Sequence, residues 1–128
     1  AWVAMGCASD GPVLISSRSD ESGSGRLVFA DLKSFKPLQL EYTGEGGGGF
    51  EQMEVWASAD GTTFGLTQRY VSPGGVTVMR LQDGKVITRY NHDSAPYVWP
   101  SADGSVIFYH PHRIGLRARA RPRPWPGA

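Results

Sequence analysis

Apolar residues along this chain recur at a spacing of two, in short bursts separated by glycine, serine, aspartate and proline. Pro37-Leu38-Gln39-Leu40-Glu41-Tyr42 alternates strictly, which turns one set of side chains toward a core and the other toward water. Other bursts mix β-branched, aromatic and polar residues: Pro12 to Ser16, Arg26 to Asp31, Phe50 to Trp56, Thr62 to Tyr70, Val76 to Leu81, Val86 to Tyr90 and Ser105 to Tyr109. They have strand length and strand composition. Trp2 to Met5 and Tyr97 to Trp99 are shorter candidates. Leu32 to Lys36, Ser72 to Gly75 and Gln82 to Lys85 read as turns. No segment repeats its apolar positions every three to four residues over three helical turns, so the pattern predicts an all-β chain. Asp-Gly at 10–11, 60–61, 83–84 and 103–104 marks hairpins, whose favoured two-residue turn places both residues at positive φ.

The bursts are not independent. Val55-Trp56-Ala57-Ser58-Ala59-Asp60-Gly61 returns as Val98-Trp99-Pro100-Ser101-Ala102-Asp103-Gly104, 43 residues later. A weaker copy, Ala8-Ser9-Asp10-Gly11, precedes Gly61 by 50 residues, and Leu27 to Leu32 match Val76 to Leu81 at an offset of 49. Repeats of this length mark propellers and solenoids. The predicted units span roughly residues 1–43, 50–90 and an incomplete 96–109, and each complete unit should be four short antiparallel strands. Residues 110–128 break the pattern. Prolines 122, 124 and 126 oppose a continuous ladder, and a basic, irregular tail is expected.

This arrangement resembles a β-propeller of the WD40-like or YVTN-like group, over roughly residues 1–109. Those families carry a Ser-Pro-Asp-Gly type of turn between the first two strands of a blade, and Ser58-Ala59-Asp60-Gly61 and Ser101-Ala102-Asp103-Gly104 look like it. Ala30-Asp31-Leu32 stands where many such repeats carry Trp-Asp. The second unit has Met79-Arg80-Leu81 there, and the Gly-His pair of WD repeats is absent. The resemblance implies a non-enzymatic binding or scaffolding segment that meets a protein or peptide at one face of the blades. Its alternative is an accessory propeller of a larger enzyme, a protein kinase or hydrolase, with the chemistry elsewhere. Closed propellers have four to eight blades. Two and a half units therefore point to a fragment, completed by further blades of a parent chain or by self-association.

Residue chemistry adds candidates and removes others. Trp56 and Trp99 hold one repeat position; they fill the wedge between blades or, with Tyr97, present an aromatic binding surface. Asp60 and Asp103, like Asp10, are expected to cap their own turns. With the aromatics they make up the candidate binding surface. No loop offers the closely spaced oxygens of a calcium site. His92, His110 and His112 do not follow a zinc spacing, and no Gly-x-Ser-x-Gly elbow is present. The glycine run 44–49 lacks the Lys-Ser/Thr step and the helix of a phosphate loop. No catalytic, metal or cofactor site is therefore expected, and no cofactor. Cys7 is the single cysteine, so no internal disulfide forms. No apolar run is long enough to span a bilayer as a helix. The net charge of +1 hides an asymmetry: from Arg113 onward there are five arginines and no carboxylate. Phosphate or anionic lipid would meet that tail through charge alone. Without a neighbouring aromatic stacking set, nucleic-acid binding is not expected.

Overall fold

The computed structural model describes residues 2–18, 25–44, 53–68, 75–91, 97–109 and 121–124. Among them there is no helix. Eleven strands form three sheets. The first sheet holds β1 (Trp2–Ala4), β2 (Val13–Arg18) and β3 (Gly25–Ala30) as an antiparallel meander. Next come β4 (Glu41–Gly44) and the four strands β5 (Met53–Ala57), β6 (Thr63–Gln68), β7 (Val76–Gln82) and β8 (Lys85–Asn91). These five form one sheet in the order β4-β8-β7-β6-β5. The third sheet holds β9 (Val98–Pro100), β10 (Val106–Tyr109) and β11 (Arg121–Pro124).

The repeat thus becomes three stacked units, with the second the most complete. Two expectations change. The alternating segment 37–42 does not complete the first sheet. Pro37 makes an isolated bridge with Ala30, and Leu38 N–H donates to Phe29 O at 2.9 Å. The chain then leaves, and Glu41 to Gly44 pair in parallel with Lys85 to Thr88 of the second unit. Leu40 follows it into the core shared by the first two units. The second change concerns the tail. Of its residues, Arg121 to Pro124 are described, and they pair antiparallel with β10 from Tyr109↔Arg121 to Val106↔Pro124. Two prolines are tolerated there because β11 lies at the edge of its sheet, where alternate N–H groups have no ladder partner.

Two cores hold the stack together. Ala4, Leu14 and Phe29 of the first unit meet Val55, Phe64, Leu66, Met79 and Val86 of the second. Phe29 and Phe64 sit edge to face across this junction, centroids 5.1 Å apart at 76°. Val76 and Val78 of the second unit meet Val98 and Ile107 of the third, and Trp56 and Ile87 pack against them. Successive side chains of a strand point to opposite faces. Strands β5, β7 and β8 therefore feed both cores: Val55 goes to the first and Trp56 to the second, Met79 to the first and Val78 to the second, Val86 to the first and Ile87 to the second.

Candidate functional site

The repeated Ser-Ala-Asp-Gly segments build two copies of one turn. In the second unit Ser58 N–H donates to Thr63 O at 2.8 Å and Gly61 N–H to Ser58 O at 3.0 Å. The Asp60 carboxylate then closes the loop from inside. Its Oδ1 accepts from the Ser58 hydroxyl at 2.7 Å, the Thr62 N–H at 3.0 Å and the Thr62 hydroxyl at 2.7 Å. Ser58 Oγ in turn accepts from Thr63 N–H at 3.0 Å. The third unit repeats this bond for bond. Asp103 Oδ1 accepts from Ser101 Oγ at 3.1 Å, Ser105 N–H at 2.9 Å and Ser105 Oγ at 2.6 Å, and Ser101 Oγ accepts from Val106 N–H at 3.1 Å. Gly61 and Gly104 both take φ of 73°. Only the glycine of these Asp-Gly pairs is left-handed, because the loops are longer than two residues. The two-residue turn with both φ positive occurs at Asp83-Gly84, with φ of 52° and 74°.

The first unit uses different residues. Its β-turn is Gly6 to Ser9, closed by Ser9 N–H to Gly6 O at 3.2 Å. Asp10-Gly11 lies after it, and Ser9 Oγ bonds Gly11 N–H at 3.1 Å and Gly11 O at 2.8 Å. The structural partner of Ser58 is therefore Gly6, an offset of 52 where the sequence match gave 50. Here the hydroxyl of Ser9 does the capping expected of Asp10. The three turns lie side by side on one face. Ala8 N–H donates to Ala59 O at 2.8 Å, and Asp60 N–H to Ala102 O at 3.0 Å.

Electrostatics agree with a structural role for the aspartates. Burial pushes the Asp60 carboxyl up, but the hydroxyls of Ser58 and Thr62, the Thr62 N–H and the charge of Arg80 outweigh it, and the net shift is downward. The Ser105 hydroxyl, with the Ser105 N–H and the Ser101 hydroxyl, holds Asp103 below its ordinary value. Ser34, through its N–H and its hydroxyl, does the same for Asp31 in the turn after β3. Each carboxylate accepts hydrogen bonds from its own loop.

The aromatic candidates come together. Trp56 meets Tyr97 edge to face at 6.2 Å and 73°, and Tyr97 stacks on Trp99 at 5.1 Å and 9°. Their surroundings differ. Trp56 is half-buried against the third unit, whereas Trp99, at the same repeat position, remains 41% exposed on that unit's outer face. Cross-strand pairing brings Phe108 opposite Trp99. Phe108 is 36% exposed, and the spacing of repeats in the sequence gave no reason to select it. Its signal was the repeat position it shares with Gly65, which faces Trp56 across the ladder. The candidate surface therefore divides: Tyr97, Trp99 and Phe108 form an open apolar row, and Asp60 and Asp103 belong to the turns.

Among the described residues, no group of three or more His, Cys, Asp and Glu is placed to hold a metal ion. His92, His110, His112 and Gly46 to Gly49 lie outside the described residues, as do Arg117 and Arg119. No helix among the described residues is long and apolar enough to cross a membrane, a statement that does not extend to β-barrels. No protein-family profile matches the chain, and no curated protein matches it in sequence. Among solved structures, TolB from Acinetobacter baumannii, a β-propeller-containing protein, is similar with a TM-score of 0.55 and 18% identity. The match covers 95% of this chain and 29% of that one, so the chain spans less than a third of TolB's length. At this identity the likeness is one of fold: the chain has an all-β, β-propeller-type architecture.

Proposed function

We propose that this chain is a non-enzymatic binding segment of the WD40-like or YVTN-like propeller group, taking a protein or peptide partner through the outer face of its third unit. The observation that carries this reading is the exposed row Tyr97, Trp99 and Phe108, with two of its rings stacked. Rigid aromatics with a dry face are the residues that anchor protein interfaces, since they bury much area at small entropic cost. The aspartates of the turns support the non-enzymatic part, being spent on their own loops. An accessory role beside a kinase or hydrolase domain would use the same face.

The test is a peptide-display selection on the purified chain, with fluorescence titration of the winners. Enriched peptides should be apolar, and Trp99→Ala should weaken them at least ~10-fold, the loss expected of a buried aromatic anchor. Asp103→Asn should leave them unchanged. Binders indifferent to Trp99→Ala would overturn the reading.

A further inference from the structure

Asp-Gly occurs four times in this chain, at 10–11, 60–61, 83–84 and 103–104, and the dipeptide carries a chemistry of its own. An aspartate side chain can close a five-membered ring on the nitrogen of the next residue, and glycine, with no side chain, leaves that nitrogen open to approach. Ring closure needs a carboxyl able to lose its hydroxyl, an amide nitrogen able to attack, and room for the backbone to turn.

The four sites differ on each count. The Asp60 and Asp103 carboxylates each accept three hydrogen bonds within their own loops. Both carboxyls also titrate below their ordinary value, which depletes the protonated form that loses water. Their glycine nitrogens are engaged as well: Gly61 N–H donates to Ser58 O at 3.0 Å and Gly104 N–H to Ser101 O at 2.9 Å. Both glycines are buried, and a Cβ on either would lie 2.7 Å from a neighbouring unit's Cβ, that of Ser9 or of Thr63. At the first site Gly11 N–H donates to Ser9 Oγ at 3.1 Å, and Leu32 Cβ lies 3.1 Å from where a Cβ on Gly11 would be. Asp83-Gly84 is unlike the rest. Both residues are exposed, they form the whole loop between Gln82 and Lys85, and nothing lies within 4 Å of a Cβ on Gly84. Among the described residues no hydrogen bond engages the Asp83 carboxylate or the Gly84 N–H.

We propose that Asp83 is the site at which this chain isomerises spontaneously to isoaspartate. The Gly84 nitrogen attacks Cγ of the protonated Asp83 carboxyl. A C–N bond forms, the C–OH bond breaks, and the amide proton leaves with the hydroxyl as water. Water then opens the succinimide. Cleavage of the Cγ–N bond restores aspartate, and cleavage at the main-chain carbonyl leaves isoaspartate, with the chain running through the side chain. The product has one extra main-chain carbon in its turn, next to Lys85, with which Glu41 begins the pairing of β4.

Incubating the folded 128-residue chain at neutral pH and physiological temperature, followed by proteolytic mapping, tests this. Enzymatic methylation of isoaspartate with a labelled methyl donor reports the product, and fragmentation in the mass spectrometer places it. Asp83 should yield at least ~10-fold more isoaspartate than Asp10, Asp60 or Asp103, the protection expected where several hydrogen bonds must first be broken. The same incubation in denaturant should bring the four sites close together, because glycine follows each of them. Asp83→Glu, whose ring would have six members and closes far more slowly, should remove most of the signal from the folded chain. Equal yields at the four sites of the folded chain, or more at Asp60 or Asp103 than at Asp83, would overturn the proposal. So would an equal lead for Asp83 in denaturant, since the selectivity would then belong to the sequence and not to the fold.

Discussion

Replacing Gly6 by alanine probes a close backbone approach between the first two units. A Cβ on Gly6 would lie 2.5 Å from Gly61 N, and 2.6 Å from both Ala59 O and Ser58 O. All three are backbone atoms of the second unit's turn, so no rotamer change relieves them. Restoring ordinary contact means separating the two turns by roughly 0.8–0.9 Å. The Ala8 N–H to Ala59 O bond, now 2.8 Å, would then stretch beyond useful hydrogen-bond length. Losing that bond costs about 1 kcal/mol, and overpacking a tight site costs about 1–3 kcal/mol. The smaller entropy of an unfolded alanine offsets about 0.5 kcal/mol of this. The net destabilisation should be about 1.5–3.5 kcal/mol, which in a domain of this size lowers Tm by roughly 5–15 °C. Urea unfolding followed by circular dichroism measures it. Gly84→Ala is the contrast: nothing lies within 4 Å of its added Cβ, but its φ is +74°. Its loss of about 1–2 kcal/mol should be conformational, and Gly84→Asn should recover part of it. A Gly6→Ala change within 0.5 kcal/mol of wild type would refute the close packing of these turns.

Three further outcomes follow from the same geometry. Phe64, fully buried and edge-on to Phe29, should cost about 3–5 kcal/mol as Phe64→Ala in denaturant titration, because a cavity opens between the first two units. Stability should fall in acid: Asp31, Asp60 and Asp103 all have folded pKa values below the ordinary 3.8. The unfolded chain then binds protons first, so their stabilisation is complete above the ordinary carboxylate pKa and is lost as pH drops through the folded values. Unfolding midpoints measured from about pH 6 down to about pH 3 should show it, with a shallower fall in Asp60→Asn. The Lys85–Glu41 ion pair, 3.8 Å long and exposed at both ends, should contribute no more than about 0.5 kcal/mol, so Glu41→Gln should unfold at nearly the wild-type midpoint.

Much of this architecture was legible in residue order because the repeat carries its own hydrogen bonds. Ser58 and Asp60 recur as Ser101 and Asp103, and both copies make the same bonds. What was not legible depended on insertions. The loop between Ala4 and Leu14 is one residue longer than that between Trp56 and Gly65, so an alignment on Asp10-Gly11 misplaces the first turn. Alternation at 37–42 predicted a half-buried strand, but only Glu41 and Tyr42 of it lie in β4 and Leu38 and Tyr42 are exposed, because period two is silent on which edge a segment joins and on what covers it. The faces were also out of reach. Trp56 and Trp99 are alike in sequence, and only the stack decides that one is covered while the other stays open. Neither aspartate looks different from a ligand until its hydroxyl donors are in place.

The parallel pairing of β4 with β8 also sets an order of assembly. Strands β5 to β8 form from adjacent hairpins, whereas Glu41 must find Lys85 across a separation of 44 residues. Loop closure of that kind is slow, and it has no template until β8 is in place. Pulsed hydrogen exchange during refolding should therefore protect the amides of Val76 to Asn91 before those of Glu41 to Gly44. The connecting strand between the first two units is fastened last, like a latch drawn across a door that is already shut.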